Sequence, residues 1–280
     1  MSDKPLGLIA GGGALPLRIA AAHCATGGSI FVVGLENEAD PAIADYPHDW
    51  TPLGHLQGAA DKVLAAGCED LVIIGGIQRP KLEALDFDTG GQWFLEQVMA
   101  GHHAGDDQVL QTIIAYFQTR GLTVQPPQKY LQALIGKAGA QTSIDHAPHQ
   151  ADIDRAIEVA AVTGAADIGQ SLAVGHKLVL AVEGPEGTDA MLQRLQTLSP
   201  QFLGTADAPR GVLAKLPKPQ QDRRVDLPTL GRKTVELAAA AHLAGIVYEA
   251  GGALFDDFDA VVALAEERGL FLLGIDKETA

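Results

Sequence analysis

The segment LGLIAGGGALP, residues 6–16, joins an apolar run to three consecutive glycines and a proline. The run Leu6–Ala10 predicts a short buried strand, and the residues after the glycines predict a helix over Leu15–Ala25. Glycines let backbone N–H groups approach an anion, and a helix N-terminus adds partial positive charge. We therefore expect this unit to bind a phosphate or a nucleotide, and a tight turn without a ligand is the alternative. The residues expected to make these contacts are Gly11, Gly12, Gly13, Ala14 and Leu15.

The glycine segment matches neither of two common nucleotide-binding motifs. A dinucleotide fingerprint needs a third glycine for close helix–strand packing, and Pro16 replaces it here. An acidic residue, Glu36, stands near the end of the second predicted strand, so an NAD(P)-dependent oxidoreductase stays an alternative. No Gly-Lys-Ser/Thr follows the glycines, which argues against a P-loop ATPase or kinase.

Short apolar runs alternate with helical patterns along the chain, which favours an α/β fold with parallel strands. After the first unit, the predicted strands are 30–33, 71–74, 172–174, 178–182, 212–215, 245–249 and 270–275. The predicted helices are 61–66, 94–99, 107–118, 153–162, 189–195, 233–243 and 257–268. We expect strands 172–174 and 178–182 to pair with each other. We also expect Asp152 to cap the helix that follows it.

The length of 280 residues favours two lobes over one. We assign residues 1–130 to a Rossmann-like nucleotide-binding domain with a parallel sheet. Residues 131–149, which lack a regular hydrophobic period, form the predicted junction. Residues 150–280 form a C-terminal α/β catalytic domain in this division.

The chain is acidic, with a net charge of −15. This charge disfavours nucleic acid as a partner, because such binding depends on neutralising phosphates. The apolar N-terminal stretch is interrupted by glycines, Pro16 and Arg18, unlike a signal peptide. No segment approaches the ~18 apolar residues that predict a membrane-spanning helix. We therefore expect a cytoplasmic protein in which Cys24 and Cys68 are buried thiols, and one disulfide between them is the alternative.

A second glycine pair, Gly75-Gly76, ends the third predicted strand and is followed by Ile77-Gln78-Arg79-Pro80. In open α/β sheets, ligands bind beyond the carboxyl ends of the strands. We therefore expect Gly76 and Arg79 to line the same crevice as the first glycine segment. Arg79 would contact a phosphate or a ribose, and a surface arginine is the alternative.

Two segments of the C-terminal half carry polar side chains beside predicted strands. Gln170 and Ser171 precede a strand and offer amide and hydroxyl contacts to a ligand, although a simple helix-to-strand turn explains them equally well. Further on, a strand end, a tight loop and a helix start follow one another in Glu183–Asp189. We expect Thr188 or Asp189 to cap that helix, whose N-terminus suits a phosphate. Glu183 or Asp189 could instead bind a cation.

The stretch 213–231 is the most basic part of this acidic chain, with four cationic residues around two aspartates. Its cations can neutralise a diphosphate, and a carboxylate among them can bind Mg²⁺ or orient water. Prolines stiffen the stretch, and a solvated charged loop is the alternative. The cations expected to bind the ligand are Lys215, Lys218, Arg223 and Arg224.

Several longer strings carry a resemblance to a known family. LIAGGGALP, ADIDRAIEVA with DIGQS, VLAVEGPEGTDAML, GVLAKLPKP and RRVDLPTLG occur in this order. In these strings the chain resembles the LpxI-type UDP-2,3-diacylglucosamine diphosphatases, over about residues 5–276. The resemblance implies hydrolysis of the pyrophosphate of UDP-2,3-diacylglucosamine to UMP and lipid X, a step of lipid A synthesis.

The resemblance also implies site residues and a cofactor. It places the family's essential aspartate at Asp226, and it implies Mg²⁺ or another divalent metal, for which we expect Asp226 and Asp189 as ligands. Thr229, in the same motif, joins Thr188, Gln170 and Ser171 among the expected substrate contacts. A peripheral contact with the cytoplasmic face of the inner membrane and a homodimer are both left open. A non-catalytic sugar-nucleotide or lipid-binding module remains a further alternative.

Overall fold

The computed structural model describes residues 4–77, 85–100, 106–199 and 201–276. The chain divides into two compact units. Unit 1 contains the residues up to Gln132 together with the short segment Asp222–Asp226. Unit 2 contains Ala133–Gln221 and the residues from Leu227 onward. The chain therefore leaves unit 2 once, supplies five residues to unit 1 and returns.

Unit 1 contains a parallel sheet whose strand order, within the described residues, is β3-β2-β1-β4-β5. The strands are β1 Leu6–Ala10, β2 Ile30–Leu35, β3 His48–Thr51, β4 Asp70–Ile74 and β5 Thr123–Val124. The helices are α1 Leu15–Ala25, α2 Leu56–Ala65, α3 Thr89–Ala100 and α4 Asp106–Thr119. The chain builds outward from β1 to β3 and then crosses to β4, so the strand order reverses between β1 and β4. Both glycine segments leave the sheet at this switch point, where ligands of such folds bind.

The core of unit 1 follows from the sequence pattern. Every residue of β1 is buried, as expected for a central strand that is covered on both faces. α2 buries Ala59, Ala60 and Val63, and α4 contributes Ile114 and Phe117 to the same cluster. The apolar run and the glycines set the bounds of β1 and α1, and both elements have the predicted limits. β3 was not predicted, because its sequence HDWT contains no apolar run.

Unit 2 contains a mixed sheet with the order β6-β13-β11-β9-β7-β8 among the described residues. Its strands are β6 Gly139–Ala140, β7 Ser171–Gly175, β8 Leu178–Val182, β9 Val212–Lys215, β11 Gly245–Glu249 and β13 Phe271–Ile275. A small parallel pair is formed by β10 Thr229–Leu230 and β12 Leu254–Phe255. The helices are α5 Gln150–Ala165, α6 Gly187–Leu195, α7 Arg232–Ala240 and α8 Phe258–Glu267. Strands β9, β11 and β13 are parallel, whereas β6, β7 and β8 pair antiparallel at the edges.

Alternate residues of the central strands in unit 2 enter different core clusters. Leu213 of β9 packs with residues of α6, α7 and α8, such as Met191 and Val235. Its neighbours Val212 and Ala214 pack instead with Ile153 of α5. This period of two places α5 on one face of the sheet and the other helices on the opposite face. The predicted α/β fold with two lobes is confirmed.

The predicted pairing of β7 with β8 is confirmed, but the predicted role of Asp152 is wrong. His149 is the N-cap residue of α5, and Asp152 lies within the first turn. Its carboxylate accepts backbone N–H groups of His176 at 3.2 Å and Lys177 at 2.6 Å. These two residues form the turn between β7 and β8 with φ values of 53° and 61°, which cost non-glycine residues free energy. Asp152 therefore stabilises a strained hairpin turn.

The cysteines differ from each other in exposure. Cys68 is buried, and desolvation raises the pKa of its thiol to about 11. Cys24 is exposed on α1, so the expectation that both thiols are buried is wrong for this residue. Within the residues that the structure describes, no helix combines the length and apolarity that a membrane crossing requires.

Candidate active site

The two glycine segments of unit 1 hydrogen bond to each other directly beyond the ends of β1 and β4. The N–H of Gly11 donates to the carbonyl of Ile74 at 2.9 Å. Gly12 and Gly76 exchange both of their backbone hydrogen bonds, at 2.7 Å and 2.9 Å. A Cβ on Gly11 would lie 2.7 Å from the Gly76 oxygen, and Gly75 has a φ of 112°. Close approach of two backbones therefore requires glycines here, independently of any ligand.

This pairing changes how the first glycine segment could bind an anion. The N–H groups of Gly11 and Gly12 are engaged in the backbone pairing, so they are not directed at a ligand. Gly13 is exposed with a φ of 90° and precedes Ala14, the N-cap residue of α1. No side chain of the described residues caps this helix. The expected anion contact is thus narrowed to Gly13, Ala14 and the start of α1 at Leu15, and it stays a prediction.

The segment Asp222–Asp226 forms a compact turn in unit 1. The N–H groups of Val225 and Asp226 both donate to the carbonyl of Asp222 at 3.1 Å. Val225 packs against the apolar core of unit 1, and the Arg223 carbonyl accepts the side-chain amide of Gln128 at 3.2 Å. The half-buried Asp226 is thus placed on unit 1 by a local turn and an apolar anchor.

Asp222 and Arg224 form a forked ion pair within this turn. Nε of Arg224 donates to Oδ1 at 2.9 Å, and its Nη2 donates to Oδ2 at 2.6 Å. The side-chain hydrogen bond from Arg224 holds the pKa of Asp222 below its ordinary value. The same contact raises the pKa of Arg224. Two of the five guanidinium N–H donors of Arg224 are therefore directed at its own turn rather than at a ligand.

In unit 2, three of the expected ligand-binding side chains meet at one end of the central sheet. Lys215 ends β9 and is directly opposite Ser171, which begins the antiparallel strand β7. Thr188 comes from the first turn of α6, after the loop that follows β8. All three residues are buried, with 7%, 1% and 7% of their surface exposed, respectively. A buried ammonium needs polar partners, and the two hydroxyl residues beside Lys215 can supply them.

The hydroxyl of Thr188 lies at the centre of this buried polar cluster, which comprises Ser171, Glu183, Thr188 and Lys215. Nζ of Lys215 donates to Thr188 Oγ1 at 3.0 Å, and Thr188 Oγ1 donates to Glu183 Oε1 at 3.1 Å. Ser171 Oγ lies 2.9 Å from the same Thr188 oxygen. The other carboxylate oxygen, Glu183 Oε2, is buried and has no hydrogen-bond partner among the described residues.

The prediction that Thr188 or Asp189 caps α6 is wrong. The N-cap residue is Glu186, and no side chain of the described residues accepts its first-turn N–H groups. Thr188 instead faces the buried cluster, while the Asp189 carboxylate pairs with Lys233 at 2.7 Å on the surface. That hydrogen bond raises the pKa of Lys233.

A second polar group adjoins the cluster through Gln170. The carbonyl of Gln170 accepts the N–H of Leu216 at 2.9 Å, and its side-chain oxygen accepts Nε2 of Gln221 at 3.4 Å. The Gln221 side chain also accepts the backbone N–H of Lys218 at 2.8 Å. Nζ of Lys218 pairs with Asp167. Gln170 and Lys218, both expected to bind the ligand, are thus held around one buried glutamine.

Sequence reasoning missed two buried side chains near these groups. Gln221 is 6% exposed and Glu249, at the end of β11, is 3% exposed. Glu249 follows Tyr248, which is opposite Lys215 in the neighbouring strand. A Cβ at Gly252 would lie 2.5 Å from Oε1 of Glu249, so this glycine makes room for the carboxylate. The sequence feature that could have identified Glu249 is an acidic residue at the end of an apolar strand, shortly before glycines. Glu183 has the same pattern.

The remaining expected residues are dispersed. Thr229 lies in β10, and its hydroxyl donates to the Leu227 carbonyl at 3.4 Å. Gly76 is exposed, and Arg79 lies outside the described residues. Across the described part of the chain, no three His, Cys, Asp or Glu side chains form a group that could hold a metal ion. The structure therefore brings Ser171, Thr188 and Lys215 together in unit 2, whereas the glycine segments and Asp226 belong to unit 1.

Comparisons with known proteins match almost the whole chain. Residues 5–134 match the LpxI N-terminal domain, and residues 137–273 match the LpxI C-terminal domain. A relative from Caulobacter vibrioides, UDP-2,3-diacylglucosamine pyrophosphatase LpxI, is 42% identical over 277 residues. The matched region covers 98% of this chain and 99% of that relative.

Proposed function

The chain belongs to the LpxI family, and from this membership we propose that it hydrolyses the pyrophosphate bond of UDP-2,3-diacylglucosamine. The observation that carries the proposal is the 42% identity to a UDP-2,3-diacylglucosamine pyrophosphatase along nearly all of both chains. The similarity extends over both units, so we propose the whole activity of that relative for this chain. The function belongs to the lipid A pathway.

The reaction adds one water molecule across the P–O–P linkage. The bond between one phosphorus and the bridging oxygen breaks, and the oxygen of water completes the released phosphate. The products are UMP and 2,3-diacylglucosamine 1-phosphate, which is lipid X. Phosphoryl transfer requires little covalent chemistry from the protein, so substrate positioning and charge neutralisation provide most of the rate enhancement.

The buried polar cluster of unit 2 suits an anionic substrate. The chain carries a net charge of −15, so a diphosphate must be attracted by local cations rather than by the overall field. Lys215 is such a cation, and its buried position keeps its charge poorly screened by water. In our proposal Lys215 neutralises charge that develops on the phosphates, and Gln170 orients the polar part of the substrate.

We include Mg²⁺, or another divalent metal, in the proposal, and the donor chemistry fits it. Magnesium in phosphoryl-transfer sites commonly uses one or two carboxylates and completes its shell with substrate phosphates and water. A preformed cage of three protein ligands is therefore not required. Asp226 is the proposed ligand, whereas Asp189 would first have to release Lys233. When bound, the metal would neutralise the diphosphate and acidify a coordinated water.

Neither alternative drawn from the sequence gains support. An NAD(P) site would need the glycine N–H groups at the pyrophosphate, but that of Gly11 donates to the Ile74 carbonyl and that of Gly12 to the Gly76 carbonyl. A non-catalytic binding module does not account for the similarity to an enzyme over 98% of the chain. Because the proposed substrate carries two acyl chains, the proposal includes a peripheral contact with the cytoplasmic face of the inner membrane.

The role of Asp226 is tested by Asp226→Asn, assayed for UMP release from UDP-2,3-diacylglucosamine with Mg²⁺. We expect a loss on the order of 10³-fold, because the neutral amide is a poor metal ligand and cannot orient water as a carboxylate does. Asp259→Asn, an exposed change on α8, is the matched control and should keep the wild-type rate. A chelator should stop the wild-type enzyme, and added Mg²⁺ should restore it.

Two results would count against these assignments. If Asp226→Asn keeps the wild-type rate, Asp226 has no catalytic role and the metal must be held elsewhere. If the folded wild-type protein binds the substrate but releases no UMP with any divalent metal, the proposed function itself is wrong.

A further inference from the structure

The Thr188 hydroxyl in the buried polar cluster has three close partners, and their chemistry fixes the direction of every hydrogen bond. An ammonium can only donate, so Lys215 donates to Thr188 Oγ1 over 3.0 Å. An ionised carboxylate can only accept, so the single Thr188 proton goes to Glu183 Oε1 over 3.1 Å. Ser171 must then donate its own proton to Thr188 over their 2.9 Å contact.

This count leaves the Thr188 hydroxyl with no remaining capacity. A hydroxyl offers one donor and two acceptor lone pairs, and Glu183, Lys215 and Ser171 use all three. Only 7% of the surface of Thr188 is exposed to solvent. A direct contact of this hydroxyl with the substrate, which the sequence led us to expect, would require one of these bonds to break.

We infer that Thr188 and Glu183 are positioning residues that act on the substrate through Lys215, an inference that rests on the proposed function. The Glu183 carboxylate sets the direction of the Thr188 proton, and the hydroxyl oxygen then presents both lone pairs toward Lys215 and Ser171. One of the three ammonium protons of Lys215 is thereby fixed in direction. A cation on a flexible four-carbon stem becomes a preorganised charge, which lowers the cost of organising the site during the reaction.

The backbone around Glu183 keeps the carboxylate in register with the cluster. The N–H of Glu183 donates to the Ser171 carbonyl at 2.9 Å, which joins the end of β8 to the start of β7. A Cβ on Gly169 would lie 2.3 Å from the Glu183 carbonyl oxygen, so the chain passes at close contact. Glu183 is 8% exposed, and burial shields its charge from water. The backbone contacts of Glu183 therefore hold in place the series of hydrogen bonds that runs from Glu183 through Thr188 to Lys215.

The test compares kcat and KM for UDP-2,3-diacylglucosamine in four variants. Thr188→Val keeps the side-chain shape but removes the hydroxyl, and we expect kcat to fall on the order of 30-fold with a smaller change in KM. Thr188→Ser keeps the hydroxyl and should stay within about threefold of wild type. Glu183→Gln removes the charge that orients the proton, and kcat should fall about tenfold.

Thr142→Val is the matched control for the general cost of removing a buried hydroxyl from unit 2. Thr142 is 8% exposed, and its hydroxyl accepts the N–H of Leu272 at 3.1 Å. It lies beside β13, away from the cluster in sequence and in sheet order. We expect Thr142→Val to lower the thermal midpoint about as much as Thr188→Val while kcat stays within about threefold of wild type.

The outcomes separate this inference from the function on which it rests. Wild-type turnover with a selective kcat loss in Thr188→Val and Glu183→Gln, together with rescue by Thr188→Ser, supports it. Wild-type turnover with unchanged kcat in either Thr188→Val or Glu183→Gln overturns it, as does an equal kcat loss in Thr142→Val. A folded wild-type protein without turnover overturns the proposed function first, and the inference with it.

Discussion

Replacement of Gly11 by alanine should destabilise unit 1 through a backbone clash that can be worked out from the structure. The new Cβ would lie 2.7 Å from the Gly76 oxygen and 2.9 Å from both the carbonyl carbon and oxygen of Gly75. Ordinary van der Waals contacts of a Cβ begin near 3.4 Å. The obstructing atoms are backbone, so no side-chain rotation can relieve the contact, and the two glycine segments must separate.

Separation also weakens the hydrogen bonds that join the segments. The bonds between Gly12 and Gly76 measure 2.7 Å and 2.9 Å, and the Gly11–Ile74 bond measures 2.9 Å. Overpacking costs about 1–3 kcal/mol, and each weakened hydrogen bond costs up to about 1 kcal/mol. We therefore expect Gly11→Ala to lower the free energy of unfolding of unit 1 by about 3 kcal/mol.

Tryptophan fluorescence reports this change selectively. Both tryptophans of the chain, Trp50 and Trp93, belong to unit 1. With a urea dependence of about 2 kcal/mol per molar, the loss corresponds to a fall of about 1.5 M in the unfolding midpoint. The experiment is a urea titration of Gly11→Ala and wild type, followed by tryptophan emission.

Gly76→Ala is the control, because no atom of the described residues other than Gly76 and its two chain neighbours lies within 4 Å of its Cβ position. Gly76 is also not among the glycines with positive φ, so alanine should fit. Its midpoint should stay within about 0.3 M of wild type. An unchanged midpoint for Gly11→Ala, or an equal fall for Gly76→Ala, would refute the explanation that close backbone approach requires these glycines.

Two further changes test local contacts that stabilise the units. Asp152→Ala removes the acceptor of the His176 and Lys177 N–H groups, so it should cost about 1 kcal/mol and speed hydrogen exchange at both amides, and unchanged exchange would contradict the role given to Asp152. Asp222→Asn should cost about 1 kcal/mol near neutral pH, measured by urea unfolding of unit 1. Because Arg224 depresses the folded-state pKa of Asp222, this stabilisation is present above the ordinary aspartate pKa of about 4 and is lost as the pH falls through the lower folded value. The wild type and Asp222→Asn should therefore converge in acid, and a gap that stays constant down to low pH would show that the pair contributes no charge-dependent stability.

The local pattern predicted those elements whose causes are local. The bounds of β1 and α1 follow from an apolar run, three glycines and the start of an Ala-rich stretch. β3 was not predicted from the sequence. A short edge strand such as HDWT needs no apolar run, and it pairs on one side with β2. The order of the strands was also beyond the sequence, since nothing local specifies that β4 returns to lie beside β1.

The candidate site was predictable in its residue types but not in its contacts. Ser171, Thr188 and Lys215 were each identified as ligand contacts, yet their meeting depends on pairing across β7 and β9 and on packing of α6. The glycines of the first segment pointed to a phosphate, whereas two of them serve the contact with the second segment. The position of Asp222–Asp226 in unit 1 depends on an apolar anchor at Val225, a single residue without a pattern of its own.

The central claim is tested most directly by the identity of the bond that the enzyme breaks. Wild-type protein is incubated with UDP-2,3-diacylglucosamine and Mg²⁺, and the products are resolved by mass. The account predicts UMP together with lipid X in equal amounts. Release of UDP with 2,3-diacylglucosamine would show cleavage at the sugar rather than at the pyrophosphate, and unchanged substrate in the presence of folded, substrate-bound protein would show no hydrolase at all; either result contradicts the account.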